Sequence, residues 1–339
     1  MEARIVGLKG CGKSTLMAAL AGGRSDGQVT TVRMGDARIR ALSAVFSPRK
    51  TTFAEFRVRE AVWLEASSRK SNMERYLDQL AGSQVFLHAL RGFESPLLVE
   101  DADYLRDLRS LDSEFALADL MTVERVLERG RKQPLPDAGK RAVARAMEAL
   151  EVEIPLREAH FPEPEADFLK AYQLLTLAPQ ILVVNLASGS ALDGEAHAEL
   201  VAAANGRQIV AFPFPDAAEV AELSPDEQLE FAEALGLPGP AAEIVTHAAF
   251  AQMGLISFFT VGEDEVRAWP IKDGTRARQA AGAVHSDIER GFIRAEVVGY
   301  ETFMRLGSLK ACKDQGLLRV EGKEYPVVDG DIINFRFNV

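Results

Sequence analysis

The strongest constraint on the fold is a glycine-rich segment near the start of the chain that reads GLKGCGKS. Residues Gly7 to Ser14 match the phosphate-loop pattern GxxxxGK[ST]. The short apolar run before it predicts a buried strand, and residues 15–20 after it begin a helical pattern. The motif therefore stands in the strand–loop–helix context that it requires. An ordinary glycine turn needs no Lys-Ser pair, so the segment predicts an α/β domain that binds nucleotide phosphates.

The positions of this loop differ in the chemistry they offer. Backbone amides of residues 9–14 and the helix N-terminus point at a β-phosphate. Lys13 adds a positive charge on the β/γ oxygens, and the Ser14 hydroxyl is suited to ligate Mg²⁺. Lys9 either strengthens phosphate attraction or is a solvated surface lysine, and Cys11 is either redox-sensitive or simply a small loop residue. The predicted nucleotide-binding residues of the loop are Lys9, Gly10, Cys11, Gly12, Lys13, Ser14 and Thr15, with Ser14 as the metal ligand.

Composition narrows the class of protein. A chain of 339 residues is long enough for two or three domains. The net charge of −11 argues against an overall attraction to nucleic acid but leaves room for a local basic face. No apolar run reaches 18 residues, and the only two cysteines, Cys11 and Cys312, lack metal-like spacing. Because the chain starts directly with a core strand, we expect no signal peptide and a cytoplasmic protein.

The middle of the chain predicts a helical hairpin. Val85 to Leu90 read as a central strand, and a charged helical segment follows from about residue 103. Its apolar residues recur at three- and four-residue steps, which predicts one buried stripe. The prolines in KQPLPDAG interrupt the pattern before a second helix, so the two helices form an αα-hairpin that either projects or packs on the domain core. The stripe residues are Leu108, Leu111, Phe115, Ala118 and Met121.

The later part of the chain returns to strands. PQILVVN predicts a buried parallel strand that delivers Asn185 at its carboxyl end, where open α/β sheets bind ligands. RQIVAFPF predicts another strand, which completes a doubly wound α/β domain. The last 85 or so residues carry several strand patterns around one helix and predict a small α+β module.

These residues together resemble the YchF/Obg-like ATPase family of P-loop NTPases over essentially the full length. The resemblance is carried by FFTVGEDEVRAWPIKDGTRARQAAGAVHSDIERGFIRAEVV and DGDIINFRFNV near the end, by DSEFALADLMTVERVLERG in the hairpin, and by DARIRALSAVFSPRK and AYQLLTLAPQILVVN. It implies a Ras-like nucleotide domain at 1–102 and 171–253, an inserted helical arm at 103–170, and a ubiquitin-like TGS domain at 254–339.

The chain departs from the family where the γ-phosphate is sensed. Members carry an Asp behind the Mg²⁺ and a Gly whose amide senses the γ-phosphate, and a gapless comparison puts Val58 and Ala61 there. Glu60 replaces the lost carboxylate only if the strand register shifts by two. The following EASSRKSNM has no glycine, and the first switch is shortened. Thr30 and Thr31 are either switch threonines or strand residues.

The base-reading motif is altered as well. Members carry NxxE, which accompanies a preference for ATP, whereas this chain keeps Asn185 and has Ser188 in place of the acid. A carboxylate that accepts two N–H groups selects guanine in ordinary GTPases, so its loss argues against strong GTP specificity. Asn185 either hydrogen-bonds a purine edge or caps its strand, and ATP is slightly favoured by family.

Two functions follow from this pattern. The first is a purine-nucleotide-binding protein with weak or absent hydrolysis; the alternative is an active ATPase or GTPase switch, and no catalytic residue is assigned. The resemblance implies Mg²⁺ with ATP/ADP or GTP/GDP, and ribosome or RNA partners reached through the TGS domain. A metabolic kinase is disfavoured, because nothing in the sequence suggests a site for a small-molecule phosphate acceptor. The basic residues that would serve an RNA contact, or merely form a solvated face, are Arg267, Lys272, Arg276, Arg278, Arg290 and Arg294.

Overall fold

The chain divides into two compact units. The structure, a computed structural model, describes residues 1–22, 29–61, 70–96, 98 and 100–338, with the backbone alone at 70–74 and 226. The first unit holds Met1–Val32 and Arg57–Ala249, and the second holds Arg33–Phe56 and Phe250–Val339.

Strands and helices alternate along the chain as the sequence pattern predicts. The described strands are β1 (Glu2–Val6), β2 (Val29–Arg33), β3 (Lys50–Thr52), β4 (Glu55–Glu60), β5 (Val85–Gly92), β6 (Gln180–Leu186), β7 (Gln208–Phe212), β8 (Leu255–Thr260), β9 (Glu265–Lys272), β10 (Phe292–Gly299), β11 (Arg319–Glu321) and β12 (Asp331–Phe337). The described α-helices are α1 (Lys13–Ala21), α2 (Ala37–Phe46), α3 (Lys70–Leu80), α4 (Tyr104–Lys132), α5 (Asp137–Glu151), α6 (Glu163–Lys170), α7 (Gly194–Ala204), α8 (Phe214–Ala221), α9 (Pro225–Ala234), α10 (Ala241–Gln252), α11 (Ala277–Val284), α12 (Ser286–Arg290), α13 (Tyr300–Leu306) and α14 (Leu309–Asp314).

The first unit is built on a sheet with the strand order β2-β4-β1-β5-β6-β7. β1 pairs in parallel with both β4 and β5, and β5–β6 and β6–β7 are parallel too. Successive strands are added first on one side of β1 and then on the other. In doubly wound sheets such a reversal places the ligand crevice at the carboxyl ends of the strands. The predicted α/β class is confirmed, and the phosphate loop follows the strand at which the order reverses.

The predicted hairpin is present as α4 and α5, separated by a break that contains Pro134 and Pro136. Leu108, Leu111 and Phe115 of the predicted stripe are buried. The first half of α4 packs on the sheet core with Tyr76 and Phe86, and its second half packs on α5. The domain boundaries at 103 and 170 stay a prediction.

The second unit holds a mixed sheet with the order β11-β10-β12-β8-β9-β3. Neighbouring residues of β8 point to opposite faces: Phe258 packs with helix α11, and Phe259 packs with Ile39 and Leu42 of α2. Residues 254–339, which were expected to form this module, thus share their sheet with β3. On the face that carries Phe259, they share a hydrophobic core with α2. A sheet with two apolar faces needs a cover on each, and α2 supplies one of them.

Helices that could cross a membrane are not found anywhere in the part of the chain described above.

Candidate nucleotide site

The phosphate loop joins β1 to α1 with three glycines in backbone conformations that suit only glycine. Gly7, Gly10 and Gly12 have φ of 145°, 84° and 95°. A Cβ on Gly7 would lie 2.5 Å from the carbonyl oxygen of Ala89, and one on Gly12 would lie 2.4 Å from Nδ2 of Asn185. The loop therefore packs closely against β5 and β6, and these glycines are required by space as well as by conformation.

Lys13 turns back into this loop. Its Nζ donates to the carbonyl oxygens of Gly7 and Leu8, each at 3.0 Å, and the residue is only 8% exposed. An ammonium group has three donors, so one is left to face an anion. The side chain is thus held within the loop by two of its carbonyl oxygens.

Ser14 meets a carboxylate. Its Oγ donates to Oε2 of Glu60 at 2.9 Å. In the parallel register of β1 and β4, Glu60 lies opposite Ile5, whereas Val58 lies opposite Ala3 and is 2% exposed. The carboxylate beside the loop is therefore that of Glu60, two residues along the strand from Val58 and on the same face.

The Ser14–Glu60 pair has the chemistry that a magnesium ion requires. Hydroxyl and carboxylate oxygens are hard ligands, and Mg²⁺ in nucleotide sites is held by one or two such groups together with phosphates and water. The two residues fit this ion by donor type and by proximity. When bound, the ion would neutralise charge on the phosphate oxygens.

Ala61 has its amide engaged elsewhere. Its N–H donates to the carbonyl oxygen of Ile5 at 2.9 Å, which extends the pairing of β4 with β1, and the residue is 1% exposed. An amide used in this way is not free to swing toward a phosphate. Residues 62–69 lie outside the described residues, as do the side chains of 70–73, and with them the glycine-free stretch noted in the sequence.

Thr30 and Thr31 are strand residues of β2, and Thr30 is buried. Of the two interpretations of these threonines, the strand interpretation describes their position. Part of the shortened segment before them, residues 23–28, lies outside the described residues.

Asn185 links three parts of the site. Its Nδ2 donates to the carbonyl oxygen of Cys11 at 3.2 Å, and its Oδ1 accepts from the backbone N–H of Phe214 at 3.0 Å. The residue is 3% exposed. It therefore ties the end of β6 to the phosphate loop and to the start of α8, and a direct contact with a base stays a prediction.

The other predicted loop residues divide by exposure. Lys9 and Gly10 are exposed, and Thr15 is half-buried. Cys11 is fully buried, and burial raises the pKa of its thiol to about 11. A thiol that stays protonated is a poor nucleophile, which favours the interpretation of Cys11 as a small loop residue.

One residue of this edge, Asp216, was not predicted from the sequence. Ser188, at the position of the lost acid, donates its Oγ–H to Oδ1 of Asp216 at 2.5 Å. Asp216 lies in the first turn of α8 and belongs to no motif. Only the pairing of β6 with β7 brings the two together, so no local signal could have found it.

The basic residues of the second unit are mostly engaged within it. The guanidinium of Arg267 stacks on Trp269 at 3.9 Å, Nζ of Lys272 donates to the carbonyl oxygen of Met253, and Arg290 pairs with Asp287. Arg276 donates to the carbonyl oxygen of Glu324 at 2.6 Å. These contacts engage four of the six predicted basic residues within the unit, and a contact of this set with RNA stays a prediction.

Known proteins resemble the chain over its whole length. The family model YchF-GTPase_C, described as "Protein of unknown function (DUF933)", matches residues 255–338. A protein of Bacillus subtilis named "Ribosome-binding ATPase YchF" is 34% identical, with 100% of both chains covered. The protein of the same name from Haemophilus influenzae is 32% identical over 99% of this chain and 98% of its own.

A solved structure supports the fold. It is titled "Structure of the Schizosaccharomyces pombe YchF GTPase" and superposes with a TM-score of 0.83 at 23% identity, covering 99% of this chain and 97% of that chain. With full-length relatives above 30% identity and this agreement in fold, the chain belongs to the YchF family.

Proposed function

We propose that this protein binds a purine nucleotide, ATP/ADP or GTP/GDP, together with Mg²⁺, through the phosphate loop. The observation that carries the proposal is the convergence of Lys13 and the Ser14–Glu60 pair on one glycine-rich loop. Loop amides and the α1 N-terminus orient the β-phosphate, and Lys13 neutralises its oxygens. Ser14 and Glu60 hold the ion.

We further propose that hydrolysis is weak or absent. Cleavage requires groups that respond to the γ-phosphate, and the amide of Ala61 is held in the sheet by Ile5. The parts that cradle the β-phosphate are all present. The protein is then expected to bind diphosphates and triphosphates with similar affinity.

An active ATPase or GTPase is the second candidate, and Glu60 favours it. A carboxylate 2.9 Å from the magnesium-ligating serine supplies the group that Val58 cannot. Phosphoryl transfer depends on positioning and electrostatics, so a site with the loop, Lys13 and this carboxylate can retain turnover.

Relatives suggest where the protein acts. Those named above are called ribosome-binding ATPases, and from them we infer a cytoplasmic role with ribosomal or RNA partners reached through the second unit. Co-sedimentation of the full chain with ribosomes, with and without nucleotide, tests this inference. Absence of the chain from the ribosomal fraction in every nucleotide state would contradict it.

Calorimetric titration with ADP, ATP, GDP and GTP, with and without Mg²⁺, tests nucleotide binding. We expect di- and triphosphates of the same base to bind within a few-fold of each other. Lys13→Ala should lose binding, whereas Lys170→Ala, which removes an exposed lysine of α6 outside the loop, should retain it. Equal binding by Lys13→Ala and the parent would exclude the loop as the site.

A turnover assay separates the two candidates. Phosphate release that requires Mg²⁺ and disappears in Lys13→Ala would establish the active enzyme and overturn weak hydrolysis. Glu60→Gln then tests the assigned carboxylate: it should lower the gain in affinity that Mg²⁺ provides. Glu55→Gln, an exposed residue of the same strand, is the matched control.

A further inference from the structure

A polar pair stands at the carboxyl edge of the first sheet, beside the phosphate loop. It consists of Ser188, which follows β6, and Asp216, which begins α8 after β7. Ser188 is exposed and Asp216 half-buried, and they are joined by the 2.5 Å hydrogen bond from Oγ of Ser188 to Oδ1 of Asp216. Nothing in the phosphate chemistry described above uses this pair.

The position of the pair relative to the phosphate loop is fixed by Asn185. The Asn185 side chain bonds both Cys11 in the loop and the backbone N–H of Phe214. Ser188 comes three residues after Asn185, and Asp216 comes two residues after Phe214. The pair therefore lies on the same edge as the loop, where a nucleotide held by its phosphates extends its base.

Both members of the pair are held by the backbone. Ser188 stands in a turn closed by the N–H of Ser190 to the carbonyl oxygen of Ala187 at 3.0 Å, with Gly189 at φ 74°. That conformation at the third turn position favours glycine. Asp216 is fixed by the first turn of α8, whose starting amide is bonded to Asn185. The edge thus presents a preformed arrangement.

The hydrogen bond decides what this arrangement offers a ligand. The single hydroxyl proton of Ser188 is directed to Asp216. The two side chains can therefore only accept further hydrogen bonds, through the lone pairs of their oxygen atoms. Guanine presents two adjacent donors on its pairing edge, N1–H and the N2 amino group. Adenine presents one donor, the N6 amino group, next to an acceptor, N1. An acceptor-only surface matches guanine and opposes N1 of adenine.

We propose that Asp216 is the base-specificity residue of this site and that, with Ser188, it selects guanine over adenine. The carboxylate that ordinary GTPases place after the Asn of β6 is here supplied by α8. This inference rests on the proposed function, since it names the base of the nucleotide that the phosphate loop holds. It departs from the adenine preference expected from family resemblance.

A series of diphosphates measured on the full-length protein tests the proposal without any mutation. We expect GDP to bind roughly tenfold or more tightly than ADP, because a bidentate base contact discriminates by about that factor or more. IDP, which lacks the N2 amino group, should fall between them. XDP has a carbonyl at C2 that would face the carboxylate, so it should bind weakly.

The variant Asp216→Asn tests the role of Asp216 through a gain of XDP binding. Its amide would donate to the C2 carbonyl of xanthine and accept from N1–H, so the variant should lose GDP affinity and gain XDP affinity, each by roughly tenfold. A pair that only bridges two loops would produce no such exchange. Asp193→Asn, a change of the same kind in the loop that follows Ser188, should leave the order of the four diphosphates unchanged.

The outcomes are distinguishable from those of the proposed function. ADP binding as tight as GDP binding in the parent protein overturns the guanine preference and leaves phosphate-loop binding intact. An unchanged base order in Asp216→Asn overturns the role of Asp216. If no diphosphate binds at all, the proposed function itself fails. Should the variant misfold, the series on the parent protein still decides.

Discussion

At the scale of single residues, His88 is a titratable side chain buried in the sheet at an energetic cost. It lies opposite Val6 in the register of β1 and β5, and its side chain is fully enclosed. Among the residues that the structure describes, no group hydrogen-bonds either ring nitrogen. Desolvation lowers the pKa of His88 to about 3, although the nearby charge of Asp112 acts in the opposite direction.

The lowered pKa predicts acid sensitivity. Between about pH 6.5 and pH 3, the unfolded chain binds a proton at this position and the folded chain does not. His88 therefore costs stability as pH falls below 6.5, by up to ~1.4 kcal/mol per pH unit. In His88→Leu, the free energy of unfolding measured with urea should depend less steeply on pH over this range. The exposed His160, changed to Gln, is the control, and an unchanged slope in His88→Leu would contradict the assignment.

Residues of the site differ in how far the sequence could place them. Lys13 and Ser14 are set by a local motif, so their position follows from eight consecutive residues. Glu60 and Val58 occupy the same face of one strand, and a shift by two cannot be resolved by an alternation of period two. Asp216 meets Ser188 only through the pairing of two strands. Its contact is a property of the sheet, which no local pattern encodes.

At the scale of elements, α4 is fastened through one buried carboxylate. Asp119 accepts hydrogen bonds from the backbone N–H groups of Leu175 and Thr176, both at 2.7 Å, and from Oγ1 of Thr176 at 2.6 Å. Thr176 in turn accepts from the N–H of Leu156 at 3.1 Å. The helix is thereby joined to the segment that leads into β6.

Asp119→Asn replaces one of these acceptors by a donor that faces backbone N–H groups. We expect it to lower the free energy of unfolding by ~1–3 kcal/mol at neutral pH. Burial raises the pKa of Asp119 to about 6. The stability linked to this shift is fully present below about pH 4 and is lost as pH rises through 6, so the variant should also lack that slope. Urea unfolding at several pH values measures both effects.

Asp167→Asn, on the exposed surface of α6, is the matched control for Asp119→Asn and should change neither quantity measurably. If the slope between pH 4 and 6 survives in Asp119→Asn, another group is responsible for it.

Elements with a strong local pattern were predictable, and those defined by a distant partner were not. For α4 and β6, the local sequence pattern, a helical stripe and an apolar run, predicts which residues are buried. Helix α2 and strand β3 are short, and many sheets would accept an apolar helix face of this size. Their placement on β8 and β9 depends on residues more than two hundred positions away.

At the scale of the whole molecule, the second unit is assembled from two separate stretches of chain. Ile39 and Leu42 share a core with Phe259, and β3 pairs in parallel with β9. Arg38 also pairs with Asp329 at 2.6 Å. A fragment of residues 250–339 would lack these partners and expose one apolar face of its sheet.

We therefore expect that fragment to show no cooperative thermal transition by itself and to gain one when a peptide of residues 33–56 is added. Circular dichroism melts measure the difference. The same peptide carrying Leu42→Ala should restore less stability, since removal of a buried leucine side chain costs ~2–5 kcal/mol. A fragment that melts equally well alone and with the peptide would show that α2 and β3 contribute nothing to folding.

The discontinuous origin of the second unit also imposes an order in time. During synthesis α2 and β3 leave the ribosome early, whereas β8, β9 and β12 are made near the end. At about 5–20 residues per second, the apolar face of α2 waits on the order of tens of seconds for its sheet. The nascent chain must shield Ile39 and Leu42 throughout that interval, so chaperone dependence should be concentrated on the second unit.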